Sequence, residues 1–363
     1  MQTILALDLG KFKTASCLLT EDHSSVPVFK TIMTHPKTFE QFLVDVKPSL
    51  LVFESCGLSG WVVDLARKLG IEVLVAHPGG EAWQWGKVKR KTDKDDALKL
   101  AKMARNNEIN SVHIPSPEHR QFQQLVRYRK KLQAQATATQ NAIRSNLMAQ
   151  GEECAAGKTA WSKSYIENDL GKLRKPFEKC TASEYWRGTL DVQLTHLVAT
   201  LKLMRRIEKQ LAIISKPDPR IEIVQSIPGV GVVGSQVIVA HIDDAKRFES
   251  ARKVSSYAGL APKKWQSGKM DRQNRISRRG PRLLRSVLTE VAWCAIRFNP
   301  HFKALYDRVR GGSKSRKKQA IIAVARKILV TAWAMLRDGA IWSPPQTKTM
   351  GQAAPQSTAT NTA

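Results

Sequence analysis

The chain has 363 residues, 42% hydrophobic and 25% charged, enough for two or three domains with cores of their own. Its 59 lysines and arginines outnumber 31 aspartates and glutamates, a net charge of +28 that points to a polyanionic partner, nucleic acid first. No uninterrupted apolar run nears the roughly 20 residues of a bilayer span, no export leader is legible, and five scattered cysteines without a CxxC pair fit reduced cytoplasmic thiols better than disulfides or zinc.

Residues 1 to about 114 alternate between strand and helix signals. ILALDL, TASCLLT, VPVFKTI, LLVFES and IEVLVA read as strands, with helical stretches around Phe39–Val46 and Leu58–Leu69. Three closely joined strands followed by helix-strand-helix-strand predict a mixed sheet with helices packed on it. Asp8 ends the first strand, where a carboxylate is costly to bury unless a metal ion or a lysine meets it. Glu54 ends the fourth. KTDKDDALKLAKMARNN then predicts a helix from Thr92 with acids in its first turn, placing Asp93 and Asp96 one turn apart on one face. In an RNase H-like sheet the first and fourth strands are neighbours and a late helix packs across their ends. Four carboxylates converging there repel one another unless divalent cations sit between them, which suits two Mg²⁺ ions in phosphoryl transfer. Each residue also has a plainer role: Asp8 paired with a lysine, Glu54 capping the next helix, Asp93 and Asp96 complementing their helix dipole. The opening LALDLGKFK also matches the first phosphate turn of actin- and sugar-kinase-like ATPases. That fold needs a second phosphate turn and an adenosine-binding glycine pair, which IPGVGVVG does not supply.

Residues 115–215 are expected to be helical. His119 to Gln150 forms a loose apolar stripe, and Leu190, Leu194, Leu197, Leu201, Met204 and Leu211 make a heptad seam interrupted by Glu208. An intramolecular hairpin and an intermolecular coiled coil both satisfy this pattern, with some preference for a part in oligomerisation. Gly151 to Lys179 between them reads as polar and irregular.

Lys216-Pro217-Asp218-Pro219 breaks the helix and opens a last domain, 216–340; the polar tail 341–363 reads as disordered. The charge is unevenly shared: 15 basic and 13 acidic residues through position 110, against 44 and 18 beyond it. SIPGVGVVGSQVIVAHI resembles half of a helix-hairpin-helix, whose glycines Gly229 and Gly231 let backbone N–H groups approach phosphate. A glycine turn between packed helices is the alternative. In SSYAGLAPKKWQSGKMDRQNRISRRGPRLLR, Ser267 sits in a basic loop before a helix starting near Pro281. It serves either as a turn residue or as a nucleophile toward phosphate, with Lys263, Lys264, Lys269, Arg272 and Arg275 neutralising developing charge. Arg278, Arg279 and Arg285 complete the candidate nucleic-acid contacts.

ALDLGK, FESCG, KTDKDDA, SIPGVGVVGSQVI and YAGLAPKKWQSGK…RISRRGPRLLR together resemble the DEDD transposases of bacterial insertion sequences of the IS one-ten group, relatives of the Piv/MooV invertases. The resemblance implies an α/β RuvC-like (RNase H-like) domain over 1–114 whose Asp8, Glu54, Asp93 and Asp96 bind Mg²⁺, with Mn²⁺ able to substitute. It implies a coiled-coil region and then a mostly helical transposase domain in which Ser267 attacks DNA and forms a covalent intermediate. It further implies donor and target duplex DNA, a structured bridge RNA, a homodimer or homotetramer, and a cytoplasmic location away from any membrane. Two other classes stay open: a RuvC-like nuclease using the same carboxylates with water, and a non-enzymatic nucleic-acid-binding protein.

Overall fold

A computed structural model describes residues 3–20, 22, 26–78, 92–157, 159–267 and 270–344, giving backbone alone for 263–267 and 270–275. The chain divides into two compact units, Met1–Gln124 and Leu125–Ala363.

The first unit is built on the five expected strands: β1 (Thr3–Leu9), β2 (Lys13–Thr20), β3 (Val28–Met33), β4 (Leu50–Glu54) and β5 (Glu72–Ala76). They form one sheet in the order β3-β2-β1-β4-β5. β1 and β2, and β2 and β3, pair antiparallel, whereas β4 runs parallel to both β1 and β5. The first and fourth strands are therefore neighbours, as an RNase H-like sheet requires. The parallel pairs need crossovers, which α1 (Pro36–Val46) and α2 (Ser59–Lys68) supply.

Alternation of side chains along the strands decides what each face carries. Leu5, Leu7, Leu51 and Phe53 pack with Phe39 and Leu43 of α1 and Val62 and Ala66 of α2. Ile4, Ala6, Leu50 and Val52 take the opposite face, under Ala97, Leu100, Ala101 and Ala104 of α3 (Asp93–Arg105). Both faces of β1 are thus sealed, each buried leucine contributing about 1.5–3 kcal/mol relative to exposure.

The second unit is mostly helical. Helix α4 (Pro117–Ala149), which enters this unit at Leu125, and α6 (Tyr185–Ser215) run antiparallel. Arg129 pairs with Glu208, Thr139 with His196, and the Asn146 amide donates to the Trp186 carbonyl, so one helix descends as the other rises. Ala136, Ile143 and Leu147 of α4 bury against Leu190, Leu194 and Leu197 of α6. Glu208, which interrupts the heptad seam, accepts two N–H groups from Arg129 at 2.8 and 3.1 Å. The 151–179 connection is more ordered than its polarity suggests. A π-helical turn over Tyr165–Asp169 runs into α5 (Leu170–Leu173), because Ile166 and Leu170, four residues apart, both drop into the α4–α6 core.

After the Pro217 and Pro219 break come α7 (Pro219–Gln225), α8 (Val232–Ile242) and α9 (Ala251–Tyr257). A hairpin follows, β6 (Pro262–Ser267) and β7 (Met270–Ile276), then α10 (Arg282–Phe298), α11 (Pro300–Arg310) and α12 (Lys317–Asp338). By length and composition α12 suffices to cross a bilayer, but half of its apolar window is buried in this unit. Ile321, Val324, Ala325, Ile328, Leu329 and Ala332 form a helical stripe into the core, and the Trp333 indole donates to the Ala245 carbonyl at 2.8 Å. Residues 345–363, expected to be disordered, lie outside the described residues.

Candidate catalytic face and basic hairpin

The carboxylates of the first unit are set by strand register. β1 and β4 pair in parallel through Leu7 and Phe53, so Asp8 and Glu54 each stand one residue further along, side by side at the ends of neighbouring strands. Alternation assigns both to the face of Ala6 and Val52, the face that α3 covers. On α3, Asp93 and Asp96 precede the buried Ala97 and Leu100 by four residues each, which continues the sheet-facing stripe one turn toward the N-terminus. The Arg105 guanidinium at the far end of α3 donates to the Asp22 carbonyl at 3.5 Å, beyond the end of β2 and beside the start of β1. The start of α3 therefore lies toward the opposite edge, where Asp8 and Glu54 stand. Asp93 is exposed, whereas Asp8, Glu54 and Asp96 are half-buried.

Asp93 and Asp96 stand in the first turn of α3, where their charge complements the helix dipole. The capping of α3 belongs to Asp95, whose carboxylate accepts from the Thr92 N–H at 3.0 Å and the Thr92 hydroxyl at 2.7 Å in a capping box. Those bonds hold the Asp95 carboxyl below its ordinary range. The N-cap of α2 is Leu58, which makes no side-chain capping bond. The tight turn after Asp8 is fastened by residues the sequence did not single out. Thr34 donates to the Gly10 carbonyl at 2.8 Å and meets Thr14 at 2.8 Å, and any Cβ on Gly10 would stand 2.3 Å from the Lys13 carbonyl.

Four oxygen donors on one edge of one sheet face form a hard-ligand set whose chemistry suits Mg²⁺. Among the described residues, no three His, Cys, Asp or Glu side chains group closely enough to hold a metal ion. The elements thus bring the carboxylates to a common edge without closing them on a common point.

In the second unit, the two turn glycines differ in kind. Gly229 has φ +94°, and a Cβ there would meet the Ala295 backbone of α10 at 2.4 Å. Gly231 heads α8 with no atom within 4 Å of where its Cβ would be, so its backbone is open.

Ser267 lies in no loop. It is the last residue of β6, paired in register with Met270 of β7, and the strand propensity of the flanking polar residues was hidden by their charge. Lys269 lies outside the described residues, and the side chains of Lys263, Lys264, Ser267, Arg272 and Arg275 are likewise not described. The base of the hairpin is closed by backbone. Ser277 N–H donates to the Ala261 carbonyl at 2.9 Å and Arg278 N–H to the Gly259 carbonyl at 3.2 Å. Gly259 and Gly280, both at positive φ, admit this approach: Cβ atoms there would stand 2.1 Å from the Arg279 carbonyl and 1.9 Å from the Tyr257 carbonyl. Arg285 locks the same neck by donating to the Ala258 and Gly280 carbonyls at 3.2 and 2.9 Å. Burial, then the charges of Arg278 and Arg282, lower its pKa. Arg278 and Arg279 are exposed beside it.

Comparison with known proteins places both halves in one context. A family model described as DEDD transposase matches residues 5–150, and one described as Transposase IS116/IS110/IS902 family matches 221–307; together they take in more than half of the chain. The putative transposase y4rJ of Sinorhizobium fredii is 26% identical over 312 residues, 80% of this chain and 78% of that protein. The transposase for insertion sequence element IS1111A of Coxiella burnetii is 26% identical over 341 residues, 92% of this chain and 89% of that one. A Thermus thermophilus RuvC structure aligns over 31% of this chain and all of its own, at 13% identity and a TM-score of 0.24, too low to bear on the fold.

Proposed function

Because the chain belongs to the IS116/IS110/IS902 family of transposases, we propose that it excises and inserts a mobile element through a covalent link between Ser267 and DNA. The observation that carries this reading is the register that sets Asp8 beside Glu54 on the sheet face where α3 begins with Asp93 and Asp96. In this reading those four carboxylates hold Mg²⁺, with Mn²⁺ able to substitute. When bound, the metal withdraws charge from the attacked phosphate.

The chain's own chemistry is a transesterification. The Ser267 hydroxyl oxygen bonds to phosphorus, its proton passes to solvent, and the bond to a deoxyribose oxygen breaks as that oxygen takes up a proton. The reverse step, with a deoxyribose hydroxyl as nucleophile, joins the new strand and frees the serine. Lys263, Lys264, Lys269, Arg272, Arg275, Arg278 and Arg279 offset the phosphate charge, while Arg285 holds the hairpin neck. The open backbone at Gly231 gives the helix-hairpin-helix-like turn its phosphate contact; Gly229 sets the turn. The proposed layout is a catalytic domain over 1–114, a helical region over 115–215 that takes part in forming a dimer or tetramer, a transposase domain over 216–340 and a tail. Donor and target duplexes, with a structured bridge RNA choosing between sites, are the partners.

The test uses purified protein co-expressed with its flanking non-coding DNA, incubated with Mg²⁺ and labelled duplexes, and read on a denaturing gel. Wild type yields a DNA-linked protein band that both Ser267→Ala and Asp96→Asn abolish. Cleavage without such a band, undiminished by Ser267→Ala, makes the chain a nuclease that uses water instead.

A further inference from the structure

The outward face of α10 carries an indole. Trp293 is 41% exposed, and its ring stands 6.0 Å, centroid to centroid, from Tyr306 of α11. Tyr306 is only 5% exposed, so it backs the indole as a fixed support. Arg310, one turn past Tyr306, holds its guanidinium 5.9 Å from the phenol centroid. Arg297, one turn past Trp293, is exposed. The nearby carboxylates are engaged elsewhere. Glu290, a turn before Trp293, is bridged to Lys130 at 3.1 Å. Asp307, the one acidic residue between positions 291 and 337, is bridged to Lys303. Past Arg310, the turn into α12 adds Lys314, Arg316, Lys317 and Lys318, all exposed.

An accessible indole on a helix whose next turn carries an exposed arginine, beside a tyrosine that holds another, has a specific chemical complement. A base stacks on the indole while its flanking phosphates meet the cations. Duplex DNA keeps the faces of its bases covered, so only an unpaired nucleotide satisfies both parts of the surface. A second copy of this chain, at net +28, would bring like charge to the same place.

We propose that Trp293, supported by Tyr306 and flanked by Arg297 and Arg310, is a stacking site for an unpaired base of single-stranded nucleic acid, with the α11–α12 turn receiving the adjoining phosphates. The site rests on the transposase reading only for the origin of its ligand, since strand exchange exposes unpaired nucleotides.

The experiment measures binding of the full chain to a fluorescein-labelled oligothymidylate of about 20 nucleotides, and to a duplex of equal length, by anisotropy at fixed salt. Trp293→Ala weakens oligothymidylate binding about tenfold, the scale of removing one base–aromatic stack, and leaves duplex binding within about twofold. Trp293→Phe recovers most of the loss. Unchanged oligothymidylate affinity in Trp293→Ala, equal loss on both ligands, or a change in the chain's oligomeric mass overturns the proposal. Should Trp293→Ala fail to fold, Arg297→Gln decides: undiminished oligothymidylate binding there overturns it as well. The serine-adduct gel is independent of this readout. Adducts formed normally by a Trp293→Ala protein with wild-type oligothymidylate affinity sink this site alone, whereas Trp293-dependent binding without any adduct sinks the strand-transfer reading alone.

Discussion

Single residues in this chain separate into those that shape the backbone and those left for chemistry. Gly229 belongs to the first kind. Its positive φ and the 2.4 Å approach to Ala295 mean that Gly229→Ala overpacks the contact of the α7–α8 turn with α10 and destabilises the second unit by about 1–3 kcal/mol, measurable by thermal melting. Gly231→Ala, with open space around it, leaves the melting temperature nearly unchanged. The cysteines sort in the same way. Cys17 is fully buried in the sheet, and burial pushes its thiol up to about 11, whereas Cys56, just past Glu54, is exposed. In a thiol-reagent assay at pH 8, Cys56 reacts in the native protein and Cys17 reacts only after unfolding. At this scale the sequence was informative on position, as with Asp8 near the end of the first strand. It was silent on Thr14 and Thr34, whose hydroxyls matter only because β3 folds back beside β1's turn.

Elements reveal which local signals survive packing. The strands of the first unit were legible because apolar alternation and glycine turns agree, and α3 because its acidic first turn and alanine-leucine stripe agree. The hairpin β6–β7 was not legible, since its sequence is polar and charged and shows no apolar period of two. The 151–179 segment misled for a related reason: two apolar residues, Ile166 and Leu170, suffice to order it against α4 and α6. At the start of α6, Glu184 accepts from Lys175 and from the Thr181 N–H and hydroxyl, and these bonds pull its carboxyl down to about 2. A carboxylate depressed in the folded state lends stability that is present above its unfolded pKa near 4.5 and is lost as pH falls through about 2. Urea melts of Glu184→Gln and wild type therefore differ at pH 6 and converge as the pH approaches 2.

On the scale of the whole molecule, charge is the organising variable. The first 110 residues are almost balanced, and the excess lies in the remainder. Duplex binding should accordingly weaken steeply with salt. Replacing Arg278, Arg279 and Arg282 by glutamine flattens the slope of log affinity against log salt by about 0.9 for each phosphate left unneutralised, while charge changes on α1 or α2 leave it alone. The change from a sheet to a helical body was readable from the sequence, but Pro217 and Pro219, expected to open a further domain, lie inside the second unit; the antiparallel direction of α4 and α6 was not readable, because a heptad seam does not say which chain it meets. The glycine-closed neck has a broader bearing. Chain entry and exit for residues 262–276 meet at Ala261 and Ser277, bonded to each other at 2.9 Å, with Gly259, Gly280 and Arg285 fixing the seam outside the hairpin. The hairpin is thus an exchangeable cassette. Changes of sequence between those two residues leave the backbone seam, and the helices that carry it, as they are.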